Sequence, residues 1–193
     1  MQIASRNDFG KFLAEKGLND GYAIEIGVAD GKFSKILLDT CRFKKIYLLD
    51  TWKHFDDGSY NCSCNKAQQE QDKIYQNVVS AMSMYGDKVE VIRGDSTIEF
   101  QKFQDNYFDF IYIDANHEYE PVKKDIYNWY PKAKIGGVFA GHDYMNGVMR
   151  TGVFGVKSAV DEFCKPINVI PYITGGSRRC PPSWYWVKTP IGQ

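Results

Sequence analysis

Residues 22–31 read YAIEIGVADG and set the architecture expected for the whole chain. The apolar run 22–26 predicts a short buried strand that ends at Gly27. Residues 32–39 follow with apolar side chains on one side only, which is typical of an amphipathic helix. Gly27 permits a tight turn, and Gly31 lets the helix begin close to the strand. The segment therefore predicts a strand, a glycine-containing loop and a helix in succession.

The same alternation of short apolar runs and longer amphipathic stretches continues along the chain. Further strands are predicted at 45–49, 88–92, 108–113 and 137–140, and further helices at 6–17, 66–85, 122–130 and 156–163. Residues 168–173 and 184–188 have β-like patterns that suit a closing hairpin. Strands alternating with helices predict an α/β fold with a mostly parallel sheet.

Length and composition limit the classes of protein to consider. The 193 residues, 44% hydrophobic and 25% charged, fit one domain spanning 1–193. Because 24 basic residues balance 24 acidic ones, no basic field is available for nucleic acid, and we expect none as a partner. No apolar run is long enough for a membrane span, and the polar N-terminal segment does not resemble a signal peptide. These features lead us to expect a cytoplasmic protein without a membrane partner; a homo-oligomer stays open.

Polar residues or glycines follow each of the first five predicted strands. In an open parallel sheet, ligands bind outside the carboxyl ends of the strands, so residues far apart in sequence are expected to meet there. The residues at these ends are Gly27, Asp50, Asp95, Asp114, and His142 with Asp143. Their convergence at one edge is the main indication of a functional site.

The loop after the first strand is not a dinucleotide-binding fingerprint, because Ala29 stands where that fingerprint has its second glycine. The acidic residues Glu25 and Asp30 disfavour a pyrophosphate and suit a cationic ligand. Asp50 is placed to accept both hydroxyls of a ribose, and Asp95 with Ser96 is placed to meet an adenine. The loop positions Gly27, Val28 and Gly31, together with Thr51, complete the expected cofactor site.

At this point the chain resembles the class I S-adenosylmethionine-dependent methyltransferases. Residues 25–31 match their E/D-x-G-x-x-x-G motif, and Asp50 matches their ribose-binding acid. Residues 113–144, IDANHEYEPVKKDIYNWYPKAKIGGVFAGHDY, look like the signature of a small-molecule, sugar-type O-methyltransferase subgroup, as do 155–163 and 184–186. The resemblance covers about 22–188. It implies a Rossmann-like sheet of seven strands, the last antiparallel, with helices on both faces.

Two carboxylates and an imidazole suit a divalent ion such as Mg²⁺ or Mn²⁺. Asp114, His142 and Asp143 are the expected ligands, and they match the positions that metal-dependent relatives use, although many relatives carry a carboxylate in place of His142. His117 matches the general-base position of catechol-type relatives, where a lysine stands. With a pKa near neutrality, a histidine there is suited to take a proton from a hydroxyl. Asp114 and His117 are therefore the expected catalytic residues.

The acceptor is expected to be a small hydroxylated molecule, with a sugar favoured. Trp52, Tyr119 and Tyr144 are the residues expected to contact it, and Arg178 with Arg179 is a further candidate. Residues 53–65 are polar and aromatic and suit a lid over the donor. The five scattered cysteines, Cys62 and Cys64 included, are interpreted as ordinary thiols.

Three alternatives remain beside a metal-assisted O-methyltransferase. One is a nicotinamide-dependent oxidoreductase, which the missing GxGxxG disfavours. Another is a binding module that holds a nucleoside cofactor without catalysis. The third keeps the same donor but transfers the methyl group to nitrogen without a metal.

Overall fold

The computed structural model describes residues 3–58, 60, 62–177 and 180–190. Arg178 and Arg179, considered above as acceptor contacts, lie outside the described residues. Within the described part of the chain, seven strands form one sheet and two more form a separate hairpin. The strands, in chain order, are β1 Tyr22–Ile26, β2 Lys45–Asp50, β3 Val89–Arg93, β4 Phe108–Ile113, β5 Ala133–Gly141, β6 Asn146–Met149, β7 Gly152–Gly155, β8 Tyr172–Ile173 and β9 Trp184–Val187.

The strand order of the large sheet is β3-β2-β1-β4-β5-β9-β8. Strands β1 to β5 pair in parallel, whereas β9 pairs antiparallel with both β5 and β8. The order reverses beside β1, where β2 leaves on one side and β4 on the other, and this switch point is where open α/β sheets bind ligands. The prediction of a Rossmann-like, mostly parallel seven-stranded sheet whose last strand is antiparallel is confirmed.

Helices cover both faces of the sheet. They are α1 Phe9–Glu15, α2 Lys32–Thr40, α3 Gln68–Met82, α4 Ser96–Glu99, α5 Tyr119–Trp129 and α6 Val156–Cys164, and a 3-10 turn at Arg6–Asp8 precedes α1. Phe9, Leu37 and Val78 of α1, α2 and α3 belong to one buried cluster. Ile126 and Val160 of α5 and α6 belong to the other. The parallel strands are therefore buried on both faces, which explains why they read as continuous apolar runs.

The hairpin β6–β7 and the helix α4 were not predicted, and two elements were predicted too short: β5, expected at 137–140, spans Ala133–Gly141, and α5 begins earlier than expected. The hairpin β6–β7 is mostly exposed and has no clear apolar alternation, and α4 is a single turn. Helix α5 begins at Tyr119, three residues before the predicted start, because Pro121 is tolerated in a first helical turn. No helix in the described ranges combines the length and apolar character needed to cross a bilayer.

Candidate active site

The carboxyl ends of β1 to β4 open into a cavity of about 910 Å³. The lining includes most of the residues singled out for cofactor binding: Glu25, Gly27, Val28, Asp50, Thr51, Asp95, Ser96 and Asp114. The expected catalytic residue His117 also belongs to it. Gly31 lies at the N-cap of α2, behind the lining. Acidic groups from four separate strand ends thus share one cavity, as the sequence pattern predicts.

The glycine loop passes very close to the end of β4. Gly27 has a φ of +90°, and a Cβ placed there would lie 2.1 Å from the backbone oxygen of Asp114. The backbone N–H of Asp114 in turn donates to the oxygen of Ile26 at 2.7 Å. Ala29 also has a left-handed backbone, with φ +49°. The loop therefore keeps a glycine-like turn at Ala29 even though it lacks the second glycine of a dinucleotide fingerprint.

Asp50 fixes the loop against the end of β2. Its Oδ2 accepts the backbone N–H of Ala29 at 2.8 Å, and its Oδ1 accepts that of Trp52 at 2.9 Å. Each carboxylate oxygen can accept more than one hydrogen bond, so both retain capacity toward the cavity. This arrangement suits an acceptor-only group facing a pair of ligand hydroxyls.

The opposite end of the cavity lies over the start of α4. Asp95 is the N-cap of α4, where its Oδ1 accepts from the backbone N–H of Thr97 at 2.8 Å. The hydroxyl of Ser96 donates to Asp125 at 2.6 Å. Asp125 is buried, which raises its pKa to about 7, and it also lines the cavity. Sequence reasoning missed Asp125, because it lies within the helical pattern of α5.

None of the three residues expected to contact the acceptor, Trp52, Tyr119 and Tyr144, is part of the cavity lining. Trp52 is fully buried below the loop, where its indole N–H donates to the oxygen of Ala29 at 2.9 Å. The hydroxyl of Tyr119 donates to Glu162, and that of Tyr144 to Asp161. Both tyrosines are held outside the cavity because α6, which carries these two acids, packs beside α5.

Asp114, His117 and Asp143 form a compact cluster at one end of the cavity. One ligand atom from each lies within 4.8 Å of the others. The Nε2 of His117 lies 3.0 Å from Oδ2 of Asp143 and 4.0 Å from Oδ1 of Asp114. The three side chains come from the end of β4, the loop that follows it and the end of β5. They provide oxygen and nitrogen donors of the kind that divalent ions accept.

His142 has a different place from the one expected of a ligand. Its Nδ1–H donates to Oδ1 of Asp143 at 2.9 Å and lies 3.9 Å from Asp114, while its Nε2 faces Cys180. Asp143 has a left-handed backbone, with φ +55°, so consecutive side chains do not simply alternate across β5 here. The cluster therefore contains His117 where the sequence-based set has His142, and His142 is placed to orient Asp143.

The charges of this cluster depend on one another. Burial raises the pKa of Asp114, although the charges of Arg6 and the histidines oppose it. Burial also acts to raise the pKa of Asp143, but the hydrogen bond from His142 together with the charges of His142, His117 and Arg6 outweighs it, and the pKa is lowered. Burial disfavours the charged form of His117, yet contacts with Cys62 and Asp143 raise its pKa. The cluster thus holds an ionised Asp143 beside a readily protonated imidazole.

The segment 53–65 closes one side of the cavity. Phe55, Tyr60 and Cys64 are among its residues in the lining. Asn65 ties the segment together: it donates to the oxygens of Phe55 and Tyr60 and accepts the backbone N–H of Phe55. The backbone N–H of Ser63 donates to the oxygen of Thr151 in the turn of the β6–β7 hairpin. The described residues of the segment are thus connected to one another through Asn65 and to this hairpin through Ser63.

Cys62 lies in the same segment and is in contact with His117. The Cys64 backbone N–H donates to the Cys62 sulfur at 3.3 Å. Hydrogen bonds from the Cys64 thiol and from His117 lower the pKa of Cys62 against the effect of burial. The interpretation of Cys62 as an ordinary thiol did not anticipate this contact with the imidazole.

Arg6 is a cavity residue that sequence reasoning missed entirely. Its Nη2 donates to Oδ2 of Asp114 at 2.8 Å, and its guanidinium carbon lies 4.4 Å above the centre of the Phe33 ring. Burial opposes its charge, but the charge of Asp114 raises its pKa overall. The polar segment around Arg6 carries no motif, and its partner lies 108 positions away, so no local signal marks it.

With the geometry described, the chain can be compared with known proteins. A family described as Methyltransferase domain matches residues 24–144. The fold is similar to that of a candidate rRNA methylase from Clostridium thermocellum (TM-score 0.67, 17% identity, 100% of this chain and 99% of that chain). It is also similar to a candidate caffeoyl-CoA O-methyltransferase from Staphylococcus aureus (TM-score 0.64, 16% identity, 95% and 82%). No curated protein matches the sequence.

Proposed function

Because the chain belongs to the Methyltransferase domain family, we propose that it transfers the methyl group of S-adenosylmethionine to a hydroxyl of a small acceptor, with a sugar favoured. The observation that carries this proposal is the position of the Asp114–His117–Asp143 cluster. Two of its three residues, Asp114 and His117, line a cavity whose wall includes the glycine loop and Asp50, and Asp143 lies directly beside them. A donor lying along that wall has room to present its methyl group toward the cluster.

The polar groups of the cavity suit the proposed donor from end to end. Asp50 offers carboxylate oxygens for the two ribose hydroxyls, and Asp95 with Ser96 lies where an adenine amine needs an acceptor. The carboxylates of Asp50 and Asp114, which lie beside the glycine loop, suit a positively charged sulfonium better than a pyrophosphate. This argues against the nicotinamide alternative from the chemistry of the site.

The donor set of the cluster fits a divalent cation, since two carboxylates and an imidazole have their ligand atoms within 4.8 Å of one another. Asp114, His117 and Asp143 would hold the ion, and His142 would orient Asp143. A divalent ion supplies positive charge that favours deprotonation of a nearby hydroxyl. We propose this metal set in place of the one that includes His142.

The methyl transfer itself needs alignment and the removal of one proton. As the acceptor oxygen bonds to the methyl carbon, the bond between that carbon and the sulfur breaks. The sulfonium becomes the uncharged thioether of S-adenosylhomocysteine, which leaves. Without a metal, the neutral His117 is placed to take the hydroxyl proton. Nε2 of His117 cannot ligate an ion and accept a proton together, but both roles require the neutral imidazole. The raised pKa of His117 therefore predicts that turnover increases with pH above the ordinary histidine range.

The first experiment measures donor binding and methyl transfer. S-adenosylhomocysteine should bind in isothermal titration calorimetry, whereas NAD should not. Labelled S-adenosylmethionine is then offered with sugars, phenols and an RNA, in Mn²⁺, in Mg²⁺ and in EDTA. We expect labelled sugar in the presence of a metal. Binding without transfer to any acceptor would instead favour a non-catalytic module, and labelled RNA alone would overturn the acceptor class.

Two variants test the cluster. We expect Asp143→Asn to lower turnover at least about tenfold, the usual loss when the groups around a metal site are disturbed, while S-adenosylhomocysteine still binds. His117→Ala should lower turnover by about 10²-fold or more. Glu120→Gln, an exposed acid on α5 outside the cavity, is the matched control. Full activity of Asp143→Asn would remove the cluster from the mechanism, and activity retained in EDTA would assign His117 as the base.

A further inference from the structure

Arg6 lines the cavity, but the proposed reaction gives it no role. It lines the cavity together with Gly27, and both residues lie against Asp114. The side chain is 22% exposed, so its charge is largely removed from water. A residue so close to the glycine loop stands beside the path of any ligand that crosses this loop.

The guanidinium of Arg6 is held in place, but only part of its hydrogen-bonding capacity is satisfied. The contact with Asp114 occupies Nη2, and stacking on Phe33 fixes the plane of the group. Its Nε is buried and has no hydrogen-bond partner among the described residues. An arginine carries five N–H donors arranged to meet planar anions. That Nε is closed off from the cavity, so a ligand would meet the Nη atoms; Nη1 makes no hydrogen bond to the described residues, and the geometry points to an anionic ligand group as its partner.

The other basic side chains of the lining are less suited to that task. Lys32 is 84% exposed at the rim and pairs with Asp30, and Lys53 and Lys66 are exposed on the lid side. Near Arg6 stand the carboxyl groups of Glu25 and Asp114, and the charge of Asp114, which pairs with Arg6, disfavours a lone anion. One cation flanked by two carboxyl groups instead matches an α-amino acid, whose carboxylate and ammonium lie on the same carbon.

We infer that Arg6 binds the α-carboxylate of the amino-acid moiety of the methyl donor. The inference rests on the proposed function, because it assigns one part of the same donor. Arg6 is then a specificity residue: it distinguishes ligands that carry the amino-acid carboxylate from nucleosides that lack it. The charge-assisted hydrogen bonds it makes favour S-adenosylmethionine and S-adenosylhomocysteine over their decarboxylated forms.

The test compares three ligands on wild type and Arg6→Met by isothermal titration calorimetry. S-adenosylhomocysteine has the complete amino acid, S-adenosyl-3-thiopropylamine lacks only the carboxylate, and 5′-methylthioadenosine lacks the amino acid. We expect Arg6→Met to bind S-adenosylhomocysteine about 10- to 100-fold more weakly, the range for a hydrogen bond to a charged group. The other two ligands should change less than about threefold, because a missing contact has no effect on ligands that never made it.

Two controls separate the possible failures. Lys11→Met removes an exposed positive charge from the same N-terminal region and should leave all three affinities unchanged. Equal weakening of all three ligands by Arg6→Met, or unchanged binding of S-adenosylhomocysteine, would overturn the inference alone. The inference would also be overturned if the wild type bound the decarboxylated ligand as tightly as S-adenosylhomocysteine, and this comparison does not depend on whether the variant folds. A wild type that binds none of the three overturns the proposed function as well.

Discussion

Replacing Gly27 with alanine perturbs the closest backbone approach in the site. The new Cβ would lie 2.1 Å from the oxygen and 2.3 Å from the carbonyl carbon of Asp114, so one of the two backbones has to move. The left-handed φ of +90° adds a second cost. A Cβ in left-handed backbone costs about 1–2 kcal/mol, and forcing extra volume into a packed site costs about 1–3 kcal/mol. The free energy of unfolding should therefore fall by about 2–5 kcal/mol.

Thermal unfolding followed by circular dichroism measures this effect. For a chain of this size, about 2–4 °C per kcal/mol predicts a Tm lower by about 4–20 °C. Gly17→Ala is the matched control, because Gly17 also has a positive φ, +74°, but a Cβ added there would meet no atom within 4 Å. It should lose only the backbone part, about 2–8 °C.

The difference between the two variants isolates the contact between the glycine loop and the end of β4. S-adenosylhomocysteine binding should be lost in Gly27→Ala and kept in Gly17→Ala, since only the first displaces Asp114. Equal Tm values for the two variants, with equal binding, would refute the reasoning that close approach, rather than the left-handed turn alone, requires glycine at this position.

Three further predictions concern other parts of the site. Burial raises the pKa of Glu25 from its ordinary 4.5 to about 8, so between these pH values the folded state keeps a proton that the unfolded chain releases. The free energy of unfolding should therefore decrease as the pH rises from 5 to 8. Tm measured over this range should decrease less in Glu25→Gln than in the wild type. Asn65→Ala removes three hydrogen bonds and should speed proteolysis within 53–65 by at least about fivefold, the factor for one net hydrogen bond of about 1 kcal/mol; an unchanged rate would mean that other contacts hold this segment. Trp52→Phe leaves the buried oxygen of Ala29 unpaired and should cost about 1–3 kcal/mol in urea unfolding; a loss below about 0.5 kcal/mol would contradict the support role of the indole.

The sequence pattern locates the sheet accurately because its parallel strands are buried on both faces. The predicted runs 22–26 and 108–113 are the observed β1 and β4 without change. The predicted strand 168–173 is reduced to Tyr172–Ile173 at the edge of the sheet, where one neighbour and an exposed position leave little to define it. Burial, rather than intrinsic β-propensity, is the signal that sequence reasoning reads here.

The site was predictable to the level of strand ends but not of side-chain direction. That Asp50, Asp95 and Asp114 share one cavity follows from the parallel topology alone. The left-handed turn at Asp143 decides whether His117 or His142 joins the aspartates in the cluster. Aspartate is one of the few residues that adopts this backbone conformation, and no sequence motif marks it here. Arg6 depends on a contact across most of the chain, which no local pattern encodes.

Three of the six described non-glycine residues with a positive φ lie where the strands end in the site. Ala29, Trp52 and Asp143 have positive φ values, and each such position costs of the order of 1 kcal/mol or more. Hydrogen bonds hold them: Asp50 accepts from the N–H groups of Ala29 and Trp52, and His142 donates to Asp143. These strained turns are thus fixed by groups from neighbouring strand ends. The described part of the segment 53–65 is held differently, by hydrogen bonds within itself and by others to α3 and to the β6–β7 hairpin.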